Sequence, residues 1–374
     1  MPSFRTGKVL RLLEERTGLQ RAEVDLGDGP ERAYVLTQLT GRVDVGDAVV
    51  VNTTAVELGL GTGGWHVVHW NLARDEWNEK GPGHIIKGRY TSLQADVGST
   101  EEHLEALAEA ESIDGMPVVA AALHSQVPAV AAAVRAARPD ARIAYVMTDG
   151  AGLPLALSDL VAALRARGLI DATVTYGHAF GGDFEAVSVF SALVVARQVA
   201  AADVTIVAMG PGIVGTNTRL GFSGLEVGPI LDAAVALGGV PIVCLRISFA
   251  DPRSRHLGVS HHSATALRLA TRSRVLVPVP CVGGTEEARI RADLGLAGID
   301  LRHDLVDVDP PDVLALFAAH DLRIVSMGRP AAADPVMFLA AAAAGTVAAA
   351  HIPPAHIPSA SIPAGGAGAP GGPA

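Results

Sequence analysis

Val204-Thr-Ile-Val-Ala-Met209 is an uncharged, β-branched-rich run that stops abruptly on Gly210-Pro-Gly-Ile-Val-Gly-Thr-Asn-Thr-Arg-Leu-Gly-Phe-Ser-Gly224, after which a helical pattern starts at Glu226. The same order of apolar run, polar cluster and helix recurs on both sides of it. Val118–Leu123 ends on His124-Ser125, Arg142–Thr148 on Asp149-Gly150, and Thr173–Tyr176 on the cluster His178 to Glu185. Ile242–Ser248 ends on Asp251 to His262, and Val275–Pro280 on Cys281 with Gly283-Gly284. Runs apolar on both sides are strands of a sheet covered on both faces. Strands alternating with helices make that sheet parallel, and the loops leaving its carboxyl ends share one edge. The intervening helices are expected over Pro128–Ala137, Leu157–Arg167, Ala186–Ala201, Glu226–Leu237 and Ser263–Arg272.

Upstream the pattern changes. Lys8–Leu13, Ala22–Leu26, Arg32–Leu36, Ala48–Asn52 and His66–Trp70 are short alternating runs separated by Gly27-Asp28-Gly29, Gly41, Gly46-Asp47 and Gly59 to Gly64. That spacing suggests a small barrel of SH3 or oligonucleotide-fold type. The fold class is therefore α/β: an N-terminal small β-barrel over residues 1–95, then a doubly wound, mostly parallel α/β domain over 117–350. Residues 96–116 read as a linker, with an acidic helix from Thr100 to Glu111. Beyond Gly284, Asp304–Val308 and Arg323–Met327 extend the sheet, with helices at Pro311–Ala319 and Pro335–Ala349. From His351 the degenerate repeat His-Ile-Pro-Pro-Ala, His-Ile-Pro-Ser-Ala, Ser-Ile-Pro-Ala-Gly lacks material for a core and reads as a disordered tail over 351–374.

Composition narrows the function. A net charge of −10 over 374 residues argues against a nucleic-acid partner, which needs clustered positive charge. In the barrel the count is 11 basic against 12 acidic residues, so a structural or docking barrel is favoured over a nucleic-acid reader. Cys244 and Cys281 are too few for a disulfide framework. No secretory signal opens the chain and no run is long enough to span a bilayer, so the cytoplasm is the expected compartment and no membrane partner is expected. The sequence carries no signal for an oligomeric state.

Three clusters hold the candidate chemistry. The Gly210–Gly224 loop offers backbone amides at Gly210, Gly212 and Gly215, a hydroxyl at Thr216 and a positive charge at Arg219, a set suited to a small anionic ligand. It lacks the Gly-Lys-Ser/Thr of a phosphate-binding Walker loop and the spacing of a dinucleotide fingerprint. Asp251 to His262 packs Asp251, Arg253, Arg255, His256, Ser260, His261 and His262 into twelve positions, with Arg253 placed to orient a carboxylate or phosphate. Because neighbouring side chains diverge on a strand or helix, at most one of His261 and His262 is expected to face the crevice. The third cluster offers His178, Asp183 and Glu185, joined at the sheet edge by His124 and Asp149. Asp149, His178, Asp183 and His262 are the candidates for acid–base catalysis; His124 and Asp251 complete the candidate ligand contacts. A divalent metal with mixed ligands rests only on the expected convergence, since no His-Glu-x-x-His spacing occurs, and no motif names a cofactor. Ser125 lacks a nucleophile elbow, and Cys281 reads more readily as a small apolar side chain than as a thiol nucleophile.

Gly83-His-Ile-Ile-Lys87 with Arg89-Tyr-Thr91, Leu123-His-Ser-Gln126, Gly177-His-Ala-Phe-Gly-Gly-Asp183, Met209-Gly-Pro-Gly-Ile-Val-Gly215, and Arg246-Ile-Ser-Phe-Ala-Asp251 through Ser260-His-His262 form a run of blocks. It resembles the uncharacterised bacterial family called domain of unknown function 3866, over roughly residues 5 to 345. The resemblance implies no reaction, cofactor or catalytic residue. Two functions fit the residues: an enzyme, hydrolase or group transferase, acting on a small anionic metabolite; or a metabolite sensor or assembly factor whose barrel docks a protein partner. An enzyme needs titratable groups in mutual reach around an open cavity, whereas a sensor needs only donors.

Overall fold

The computed structural model describes residues 1–354 apart from Thr62, so the rest of the tail expected from 351 onward lies outside the described residues. Five strands, β1 (Phe4–Arg16), β2 (Leu19–Asp25), β3 (Pro30–Leu36), β4 (Ala48–Asn52) and β5 (Trp65–Asn71), close into a barrel in the order β1-β2-β3-β5-β4. Closure removes exposed strand edges. The alternating Val9, Ala22, Val24, Val35, Val49, Val51 and Val68 fill the interior.

The second unit is an eight-stranded parallel sheet. Its strands are β6 (Pro117–Ala121), β7 (Ile143–Thr148), β8 (Ala172–Tyr176), β9 (Phe184–Ala186), β10 (Val204–Met209), β11 (Val240–Cys244), β12 (Leu276–Pro280) and β13 (Asp304–Val308), in the order β9-β8-β7-β10-β6-β11-β12-β13. The helices are α1 (Val127–Ala137), α2 (Asp159–Ala166), α3 (Val189–Gln198), α4 (Val227–Ala236), α5 (His261–Thr265), α6 (Gly284–Leu296), α7 (Val313–Ala319) and α8 (Pro335–Ala350). Side chains alternate across each strand, which splits the interior into two cores. Val119, Ile143, Tyr145, Met147 and Ile206 pack on α1, α2, α7 and α8. Val118, Ala144, Val146 and Val207 pack on α3, α4 and α6.

This arrangement creates a switch point. β10 and β6 are neighbours, yet β6 feeds α1 on one face while the long loop after β10 feeds α4 on the other. Loops that part in this way leave a crevice outside the strand ends. The barrel abuts that edge: Arg16 and Arg21 each reach Asp159 at 2.6 Å, at the start of α2.

Several expected elements differ. The acidic stretch after Ser99 forms two short 3-10 turns, Thr100–Glu102 and Glu105–Leu107, in place of a helix. Its glutamates bind backbone elsewhere: Glu102 accepts from the amides of His84 and Ile85, and Glu101 from that of Val187. Side chains so engaged compete with helix formation. Val325–Ser326 pairs with Arg329–Pro330 in a separate ribbon and does not extend the sheet. The run Ile242–Ser248 is also divided: β11 ends at Cys244, and Ile247–Ser248 pairs with Gly258–Val259. At the carboxyl end Ile352 is buried in the first core, so packing continues past the expected boundary at 351. Among the described residues no helix is long and apolar enough to cross a membrane.

Candidate functional site

The strand-end groups do not share one cavity; they fall into three neighbouring sites along the edge. The first is an open cavity of about 670 Å³ at the switch point. Leu123, His124 and Ser125 from the β6 loop and Gly210, Gly212 and Ile213 from the β10 loop form one wall; Leu322, Ile324, Val325 and Met327 form the other. Gly210 is needed here, since a Cβ would lie 2.5 Å from the carbonyl oxygen of Gly152. Gly212 adopts φ +105, a conformation that favours glycine. His124 is a satisfied structural histidine. Its Nδ1–H donates to the Met209 carbonyl at 3.1 Å, and Nε2 accepts from the Ser158 hydroxyl at 2.7 Å. Burial lowers its pKa to about 4.

The second site is a cleft of about 180 Å³ between the β10 loop and the segment after β11. Its lining includes Arg246, Arg253, Arg255, His256, His261 and His262, and no acidic residue. Arg246 sits where the chain leaves the sheet. Its backbone is fixed by the first turn of α5: Arg246 N–H donates to Ser263 Oγ at 2.8 Å, and Ser260 N–H to the Arg246 carbonyl at 2.9 Å. Arg246 is 2% exposed, and burial with the nearby Arg253 charge lowers its pKa to about 10. Beneath the cleft, Arg253 grips the buried Asp251 through Nε at 2.8 Å and Nη2 at 2.7 Å, and Arg246 approaches it at 3.4 Å. The bidentate arginine holds the Asp251 carboxyl far below the usual carboxylate range. Arg329 is taken up by Asp334 at 3.0 Å. Two aspartates therefore stand against three arginines before Arg255 is counted. Among the described residues neither Arg255 nor Arg219 has an acidic partner.

The three imidazoles pack together with ring centroids 4.4–5.0 Å apart, His262 edge to face with each of the other two and His256 tilted against His261. His262 also stacks on Phe222 at 3.9 Å. Burial, reinforced by Arg246, lowers His256 and His262 to about 3. Burial followed by the Arg255 charge lowers His261 as well. All three are neutral at physiological pH. The hydrogen bonds assign two tautomers: Arg246 donates to His262 Nδ1 at 3.3 Å, and Arg255 Nε donates to His256 Nε2 at 3.3 Å. His256 Nδ1–H then donates to Ser260 Oγ at 2.7 Å. Both His261 and His262 face the cleft, contrary to the alternation expected of neighbours. They occupy the first turn of a helix capped by Ser260, whose Oγ accepts from His262 N–H at 3.2 Å, and the cleft wraps that end.

The glycine loop contributes shape more than amides. Gly215 and Phe222 form an antiparallel bridge, and the amides of Val214, Thr216, Gly221, Phe222 and Ser223 all donate within the loop. The Thr216 hydroxyl contacts the Gly221 carbonyl and Thr218 Oγ1, so it too is engaged locally. A Cβ on Gly215 would meet only ordinary contacts, the nearest at 3.5 Å. Arg219 is exposed on the loop and acts on the cleft through its charge, which helps lower the pKa of His261.

The third site is a carboxylate pair, Glu226 and Asp149, that lines neither of these cavities. Thr148 Oγ1 donates to Glu226 at 2.7 Å, and Asp149 accepts from His178 N–H at 3.1 Å. Burial, opposed by the Thr148 bond and aided by the Asp149 charge, raises Glu226 to about 7. His178 Nδ1 accepts from Gly88 N–H at 3.1 Å, with Arg89 beside Nε2 at 3.2 Å. Nearby, Lys87 is buried against Glu185 at 3.2 Å; burial lowers the lysine and raises the glutamate. Asp183 stands apart from all three sites. It accepts from Thr173 N–H at 2.8 Å and pairs with Arg165, tying β9 to the amino end of β8.

Sequence reasoning passed over Arg246, Glu226 and Met327. Arg246 is hidden inside what reads as one continuous strand, and Glu226 looks like an ordinary first-turn glutamate. The sequence profile of the family "Protein of unknown function (DUF3866)" matches residues 32–345, and the chain belongs to that family. No curated protein matches it.

Proposed function

We propose that this member of the family is an enzyme that holds the anionic group of a small metabolite in the arginine–histidine cleft and carries out hydrolysis or group transfer on it. One observation carries the reading: three arginines and three neutral imidazoles line the cleft, and no carboxylate does. Asp251 is shared between Arg253 and Arg246, and Asp334 pairs with Arg329, so two carboxylates face four arginines and the cleft keeps an excess of positive charge, with Arg255 lacking an acidic partner among the described residues. Planar guanidinium groups on a concave, partly buried surface suit a phosphate or carboxylate. A bound dianion would offset the arginine charges that help lower the histidine pKa values. His261 and His262 would then accept a proton more readily with ligand than without it. Asp149, His178 and Glu226 lie outside the cleft, so the acid–base work falls to the imidazoles.

A metal ion is the competing occupant, because the three histidines bring one ligating nitrogen each within 4.8 Å of one another. Charge and hydrogen bonding favour the anion. The lone pairs of His262 Nδ1 and His256 Nε2 already face guanidinium donors, and a divalent cation would have to displace both. The sensor reading keeps one point in its favour, since the cleft pairs its bases with no free acid.

Calorimetric titration with inorganic phosphate and with Zn²⁺ separates these occupants. Phosphate binding is expected, and Arg255→Gln should weaken it by about 1.5–3 kcal/mol, the worth of a charge-assisted hydrogen bond. Zinc binding without phosphate binding would refute the anion reading. Turnover of phosphate monoesters that His261→Gln abolishes while binding persists would establish the enzyme; binding without any turnover would favour the sensor.

A further inference from the structure

The cleft is smaller than the pockets that enclose drug-sized ligands. Its volume is about 180 Å³ against roughly 300–1,000 Å³ for such pockets, whereas the switch-point cavity, at about 670 Å³, lies within that range. The two are contiguous, for Ile213 and Met327 line both. On the far side of that shared wall Leu123, Leu160, Leu322, Ile324 and Val325 give the lining a large apolar share, alongside the charged Asp159, Arg167, Asp321 and Arg323.

Met327 is held there against local preference. Ser326 pairs with Arg329, and the two residues between them, Met327 and Gly328, have φ of +50° and +78°. A two-residue hairpin turn with both central φ positive strongly favours Asn-Gly or Asp-Gly. Methionine at the first position gains nothing for the turn; instead it puts a long, adaptable apolar side chain where the cavities meet. Ser326 anchors the ribbon by its hydrogen bond to Ser125 at 2.8 Å. Residues kept in a sparsely populated conformation concentrate at ligand sites.

We infer that the ligand is amphipathic: a phosphate-type head in the arginine–histidine cleft, and an apolar body that passes Ile213 and Met327 into the switch-point cavity. This rests on the cleft holding an anion, and the test separates the two ideas. Methyl, butyl and hexyl phosphate are titrated into the full chain. Each methylene that enters the cavity should tighten binding about four-fold until the chain reaches the far wall. Val325 is exposed, so Val325→Trp should fold and fill the cavity from its rim, abolishing the gain with chain length while leaving methyl phosphate affinity unchanged. Met327→Asn, which suits the turn, should reduce the gain with chain length. Equal affinity for all three phosphates would overturn the amphipathic ligand and leave the anion cleft standing. A chain-length gain that survives both substitutions would place the apolar body elsewhere and overturn the inference too. If no phosphate monoester binds, both the inference and the anion cleft fall together.

Discussion

Acid should destabilise this protein through two histidines that ordinarily favour the charged form as pH falls. His256 and His262 are 1% and 8% exposed, and their folded pKa values lie near 3. The unfolded value is about 6.5. Below pH 6.5 the unfolded chain therefore binds protons that the folded chain refuses. The stability these groups contribute is present above 6.5 and is lost as pH falls toward 3. Each group gives up at most about 1.4 kcal/mol per pH unit. Between pH 6.5 and 5.0 the loss integrates to about 1.6 kcal/mol per histidine, or about 3 kcal/mol for the pair, against a typical total of roughly 5–15 kcal/mol. Because Trp65, Trp70 and Trp77 lie in or beside the barrel, urea unfolding of the parallel-sheet unit is best followed by far-ultraviolet circular dichroism. The comparison is between wild type and the double variant His256→Gln/His262→Gln. The variant forfeits packing such as the stack on Phe222, but that loss does not depend on pH, so the slope is the readout. Saturating phosphate should also flatten the wild-type slope, since negative charge beside the imidazoles eases their protonation. A slope from pH 6.5 to 5.0 that is identical in wild type and double variant would show that these rings are not held neutral, and the electrostatic account of the cleft would fail.

Three further outcomes follow from packing and burial. Glu226, raised to about 7, has a folded pKa above its unfolded value, so its contribution is complete below about pH 4.5 and is lost as pH rises through 7. Glu226→Gln should therefore remove that loss, which melting curves at pH 5 and pH 8 will register as a smaller drop than in wild type. Gly345 lets α8 approach α1 closely, and a Cβ there would lie 2.4 Å from the Val130 carbonyl oxygen. Gly345→Val should cost about 1–3 kcal/mol or more by overpacking, seen as a lower urea midpoint. Ile352→Ala should cost about 2–5 kcal/mol in the same assay, because this residue belongs to the first core.

The parallel sheet was legible because its strands cannot hide. Val118–Val119, Ile143–Met147 and Val204–Met209 are buried on both sides and carry no charge, and their short length, β-branched content and flanking turn residues mark them as strands. The closed barrel was legible from alternation between turn glycines. What escaped was short or sparsely apolar. β9 is only three residues long, and its pairing with β8 comes from the loop that joins them. α6 buries only Ile290 and Leu294, an i,i+4 pair on an otherwise solvated surface, so its sequence carries almost no periodic signal. The acidic linker carried a helix-like composition, yet its glutamates are drawn to backbone amides of other segments. Propensity lost there to tertiary hydrogen bonds.

The candidate site was legible in composition but not in grouping, and the reason is geometric. The polar clusters do leave one edge of the sheet, as the order of strands and loops requires, but an eight-strand edge spans far more than one ligand. Which clusters meet depends on where each chain segment turns. Arg246 enters the cleft because β11 ends two residues earlier and the backbone then bonds to the first turn of α5. Nothing in Ile242–Ser248 marks that departure. The glycine loop, richest in apparent anion donors, folds back through the Gly215–Phe222 bridge and engages five of its own amides. Positive charge in the cleft thus comes from side chains after β11, while the loop supplies the Phe222 face that stacks on His262. A ring stacked in this way is desolvated on one side, and Arg246 faces its Nδ1. Both effects oppose protonation, and both would be relieved in part by an anion bound between the arginines. The groups that make the imidazoles poor proton acceptors in the unliganded cleft are therefore the same groups that would recruit the ligand able to change them.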